Sequence, residues 1–96
     1  MVSWHALVAG KTVEALAATE RGLRLEPDDL ILQLNRAHAL LLLGATDQAI
    51  TIYKANKGKL FDSHQSWHDV VAYDFAKLRA SHIIHPLMHE IESELT

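Results

Sequence analysis

Displaced by 34 residues, the sequence meets itself. Leu7 falls on Leu41, Gly10 on Gly44, Thr12 on Thr46, Ala15 on Ala49 and Asp28 on Asp62, with Leu16 on Ile50 as a conservative pair. The matches gather at one turn and at the start of the helix that follows it, where backbone geometry is tightest. Glycine there supplies the left-handed residue that ends a helix, threonine caps the next one, and alanine lets two backbones approach. A unit recurring at this interval reads as a helix–turn–helix element. Such an element cannot bury its apolar face alone and must stack on its neighbours.

The rest of the chain agrees with helices. It has 96 residues, 49% hydrophobic and 22% charged, a composition for one globular domain rather than a disordered segment. β-branched alternation is absent, and four glycines and two prolines mark the breaks. A short helix precedes Gly10. A second starts at Thr12 as its N-cap and ends before Pro27. A third runs from about Asp29 to Leu43 and stops at Gly44. A fourth begins after Thr46, again as a cap, with Asp47 favourably placed against the helix dipole, and ends between Asn56 and Gly58. Ser66 and Asp69 then form a capping box. The helix they open carries Trp67, Val70, Val71, Phe75 and Leu78 at spacings of three and four. Pro86 opens a last helix whose buried face is Leu87, Met88, Ile91 and Leu95, with His85 placed as its cap. The expectation is an all-α fold of about six helices in three antiparallel pairs.

The stretch "NRAHALLLLGATDQAITIYKA" resembles most of one tetratricopeptide repeat, with Ala37 in its first helix, Gly44 in the turn, then Ala49 and Tyr53. "GKTVEALAATERGLRLEP" is similar to the second helix of the repeat before it, with Ala15, Leu23, Leu25 and the closing Pro27 in place. Gln33 and Leu34 stand where that family usually has a large aromatic. The resemblance implies helix pairs stacked as a short right-handed superhelix: a truncated first repeat over 1–29, a second over 30–63, and a divergent closing pair over 64–96. That closing pair is similar to the end of bacterial proteins in which such repeats finish the chain, on Trp67, Asp74, Phe75, Leu78, Arg79, His85, Pro86, Met88, Ile91 and Glu92. The chain is then expected to be the C-terminal part of a larger bacterial protein.

The family binds partners on the concave face of its first helices. Carried onto this sequence, that face comprises Ile31, Leu34, Asn35, His38, Leu41 and Leu42, an apolar groove in which Asn35 and His38 give polar direction. Leu40 to Leu43 are apolar around more than a full turn, so some serve the core and others a guest; Leu40 and Leu43 are expected inside. Should the last helix instead lie across the groove, Leu41 and Leu42 are ordinary core. The expected function is a protein–protein interaction scaffold for a partner protein or peptide, its own copy being one candidate. The alternative is a self-association or capping module with no free groove. The short first helix leaves Trp4, Leu7 and Val8 without a preceding neighbour, so either earlier repeats or a second copy would cover them. Ile31, Leu34 and His38 stand where cations would be needed to clamp a peptide carboxylate, so an acidic C-terminal peptide is not the expected guest.

Other classes are disfavoured. A formal net charge of −3 gives no basic stripe for nucleic acid. There is no cysteine for a disulfide, thiolate metal site or nucleophile. The longest apolar run, Ala39 to Leu43, is too short to span a bilayer, and no secretory signal opens the chain, so a cytoplasmic location is expected. His64 and His68, and His85 and His89, lie one turn apart, but no carboxylate completes a metal site. No catalytic constellation and no cofactor site is expected.

Overall fold

Gly10 and Gly44 adopt φ of 78° and 89° in the computed structural model, which describes residues 2–95. The Gly10 amide donates to the Leu7 carbonyl (3.0 Å) and that of Lys11 to Ala6 (2.8 Å). One repeat later, Gly44 donates to Leu41 (3.1 Å) and Ala45 to Leu40 (2.9 Å). These paired bonds satisfy the last carbonyls of two helices in the same way. They define α1 (Val2–Val8), α2 (Thr12–Leu25), α3 (Leu30–Leu42) and α4 (Thr46–Ala55) as two hairpins. Ala15 and Ala49, each near the start of the second helix of its hairpin, are fully buried.

The same turn occurs a third time without glycine. His82 has φ of 64°, its amide donates to Arg79 (2.9 Å), and Ile83 donates to Leu78 (2.9 Å). It links α5 (Trp67–Ala80) to α6 (Met88–Leu95). An L side chain in this conformation is strained, so His82→Gly should raise stability by about 0.5–1 kcal/mol. Gly44→Ala should lower it by about 1 kcal/mol, through backbone strain alone, because nothing lies within 4 Å of an added Cβ. Urea unfolding midpoints of the two variants, moving in opposite directions, check both.

The helix starts refine the sequence expectation. Thr12 and Thr46 are the first helical residues rather than caps. The first helical bonds run from Ala15 to the Lys11 carbonyl and from Ala49 to that of Ala45, one residue earlier than a threonine cap requires. Asp29 caps α3 by accepting from the Leu32 amide (3.0 Å). Ser66 and Asp69 make the expected box on α5: Asp69 N–H donates to Ser66 Oγ (3.2 Å), and Ser66 N–H donates to Asp69 Oδ2 (3.3 Å). His85 Nδ1 accepts from the Leu87 amide ahead of α6 (3.1 Å).

The bonds from Ser66 hold the Asp69 carboxyl below its ordinary pKa. Its depressed folded-state value means that the favourable contribution is present above the unfolded carboxylate pKa and is lost as pH falls through the folded one. Melting temperatures recorded down an acid series should therefore fall less steeply for Asp69→Asn than for the parent chain.

One continuous core runs through all six helices, built on Leu7, Leu34, Leu41, Tyr53, Trp67, Phe75, Leu78 and Met88. The four-leucine run divides: Leu40 and Leu41 are buried, Leu42 is half-buried, and Leu43 is 44% exposed. Leu43 was expected inside. It is the C-cap residue of α3, already leaving the helix toward Gly44, and its side chain turns outward.

The third pair is set by its connection. Residues 26–29 suffice to join α2 to α3, whereas 56–66 separate α4 from α5. The longer segment folds on itself, with Phe61 N–H donating to the Gln65 carbonyl (2.9 Å) and Trp67 N–H to that of Lys59 (2.8 Å). It lets α5 touch α1 and meet α3 at His38 through Asp74 and Phe75, while α6 packs on α4 and α5. The molecule measures 31 × 29 × 24 Å, and α6 stays clear of the space between α1, α3 and α5. Among the described residues no helix is long and apolar enough to cross a membrane.

Candidate groove between α3 and α5

Where α5 leaves α3, the two helices and α1 enclose an open groove of about 630 Å³. One wall is the stripe Ile31, Leu34 and Asn35 of α3 with Trp4 of α1, and the other is Val70, Tyr73, Asp74 and Lys77 of α5. Phe61, Asp62 and Gln65 of the α4–α5 connection close one end. The spacings of three and four on each helix put those residues on one face. Helix α5 thus carries two stripes: Trp67, Val71, Phe75 and Leu78 go to the core, and the adjacent stripe goes to the groove.

The connection is held by its own bonds. Asp62 Oδ1 accepts from the amides of His64 (2.7 Å) and Gln65 (2.8 Å), and the Phe61 ring stacks on Trp67 at 5.9 Å with planes 3° apart. The Trp67 indole N–H donates to the Tyr53 carbonyl (3.0 Å), tying the start of α5 to the end of α4.

A buried polar chain runs from the groove into the core. Asp74, its side chain 13% exposed, lies 3.0 Å by Oδ2 from His38 Nε2, and His38 Nδ1 lies 2.6 Å from Tyr53 Oη. With Asp74 as the acceptor, His38 Nε2 carries the proton and donates, and Nδ1 accepts from the Tyr53 hydroxyl. That assignment pairs every group in the chain. Burial pushes the Tyr53 hydroxyl well above its ordinary pKa, and the Asp74 carboxylate adds to the shift. Around the imidazole stand Trp4 (centroids 6.4 Å apart), Tyr53 (5.7 Å) and Phe75 (5.3 Å). The chain joins α3, α4 and α5 and is sealed from solvent at its tyrosine end.

The six residues expected to face a guest therefore separate. Ile31, 47% exposed, borders the groove together with edges of Leu34 and Asn35, both otherwise buried. Asn35 Nδ2 donates to Ser3 Oγ (3.0 Å), which fixes α1 against α3. His38 and Leu41, at 0% and 1% exposure, correct the expectation of a groove-lining role. Asp74 and Phe75 of α5 pack against His38, and Leu41 belongs to the buried core cluster. Leu42 is half-buried against the core and does not border the groove.

Sequence reasoning missed Trp4, Phe61, Tyr73, Asp74 and Lys77 as groove residues. The second stripe of α5 was the available signal, since Tyr73, Asp74 and Lys77 follow Val70 at helical spacing. No group of three or more metal-ligating side chains converges among the described residues. Comparison of the chain with protein-family models, with curated proteins and with solved structures finds no significant match to any of them.

Proposed function

We propose that the chain is a tetratricopeptide-like interaction module that holds a segment of a partner protein in the groove between α3 and α5. The observation that carries this reading is the groove itself: an open, mostly apolar trough, walled by fixed helices and bordered by a few polar side chains. Preformed sites of this make bind because ordering was completed on folding, so little is lost when the guest arrives. The recurrence of one turn geometry at Gly10 and Gly44 supports the family resemblance independently of the groove. The alternative, a capping unit closing a longer helical array, draws support from the contact of α5 with His38 through Asp74 and Phe75.

Peptides selected from a phage-displayed random library against the immobilised chain provide the test. Binding of a synthetic copy should fall about tenfold or more when Ile31→Ser and Tyr73→Ala are combined, since both remove apolar contact at exposed positions. Val13→Ser, an exposed apolar site on α2 away from the groove, should leave it unchanged. Failure to select any binder, or binders indifferent to the groove pair, contradicts the proposal.

A further inference from the structure

Charge along the groove is uneven. Two carboxylates, Asp62 and Asp74, border it against one cation, Lys77, whose ammonium lies 5.3 Å from the centroid of the Tyr73 ring. Each carboxylate is engaged on one oxygen only. Asp74 Oδ2 meets His38, and Asp62 Oδ1 meets two backbone amides; no hydrogen bond from the described residues reaches Asp74 Oδ1 or Asp62 Oδ2. Lys54 and Arg79 do not border the groove and pair with Glu94 (3.0 Å) and Glu92 (3.2 Å) of α6. Apolar walls strengthen the field of a half-covered carboxylate. The formal net charge of the whole chain, −3, has the same sign.

We infer that the guest is a peptide segment carrying a lysine or arginine beside apolar side chains, its cation seated on Asp74 and its apolar groups against Trp4, Ile31 and Val70. The inference rests on the groove being a binding surface and adds the chemistry of the partner. Asp74 suits this task because His38 fixes its orientation from behind, leaving Oδ1 as a preset acceptor at the groove wall. A guanidinium matches it best, since its fork can bond the carboxylate while its plane lies over the neighbouring Tyr73 ring.

The probe is the same library of random linear peptides. Selected sequences should be enriched in Lys or Arg next to aromatic or aliphatic residues. Binding of a synthetic copy should weaken about tenfold in Asp74→Asn, which retains an oxygen to accept from His38. It should strengthen several-fold in Lys77→Glu, an exposed change that does not touch the core. Replacing the peptide's cation by glutamine should remove the effect of Asp74→Asn, as expected if the two groups meet. Peptides that depend on Ile31 and Tyr73 but show no cation enrichment, favour acidic residues, or ignore both charge variants overturn this inference and leave the groove reading standing. A library that yields no groove-dependent binder overturns both.

Discussion

Leu41→Glu is expected to unfold the chain rather than to weaken a surface. Leu41 is 1% exposed, in the middle of the run that faces every direction around α3. The substitution removes a packed aliphatic side chain, a loss of about 2–5 kcal/mol for a buried leucine. It also sets a carboxyl group among apolar neighbours, where an unpaired buried charge adds several kcal/mol more. A domain of this size has roughly 5–10 kcal/mol of net stability, so the combined penalty exhausts it. Far-UV circular dichroism should show the helical signal lost at ambient temperature. Retained helicity with a cooperative melt would instead place Leu41 on an open face, as the sequence resemblance implied.

His38→Ala is expected to be the second most damaging change, at about 3–5 kcal/mol. Truncation leaves a cavity among Trp4, Tyr53 and Phe75. It also strands two polar groups, the Tyr53 hydroxyl in the core and the Asp74 carboxylate at its edge. Tyr53→Phe gives the comparison: it removes one hydroxyl and one bond while leaving the imidazole paired with Asp74, so its loss should be about 1 kcal/mol. Denaturant unfolding of both variants separates the two sizes of effect. Equal losses would mean that the hydrogen-bonded chain acts through the tyrosine hydroxyl alone.

How far the structure was legible depends on the range of the interactions that set each part. The turns at Gly10 and Gly44 and the Ser66–Asp69 box act through hydrogen bonds between residues three to five positions apart, and each was readable as a turn or cap. Thr12 and Thr46 were placed one residue late because the glycine turn itself begins the next helix, making a side-chain cap unnecessary. The left-handed His82 gave no signal, since a histidine rarely takes that conformation and only the third recurrence of the turn explains it.

The groove was legible on one wall and hidden on the other. The stripe Ile31, Leu34 and Asn35 follows from α3 alone. Which part of α3 stays open depends on where α5 docks, and that is set by the fold of residues 56–66 and by the meeting of His38 with Asp74 across 36 positions. Hydrophobic periodicity reports that a face will be covered and leaves the covering element unnamed. For the same reason Tyr73 and Lys77, on a helix already credited with a core stripe, drew no assignment from the sequence.

The two tryptophans offer the most direct measurement of the central claim, that the space between α3 and α5 receives a guest. Trp4 borders the groove, half-buried, whereas Trp67 is fully buried with its indole N–H bonded to the Tyr53 carbonyl. In a ¹⁵N-labelled sample titrated with a library-selected peptide, the Trp4 indole resonance should shift progressively with the backbone amides of Ile31 and Tyr73, while the Trp67 indole holds its position. Saturable binding with Trp4 unmoved, and shifts gathered instead on the exposed faces of α2 and α4, would contradict the account.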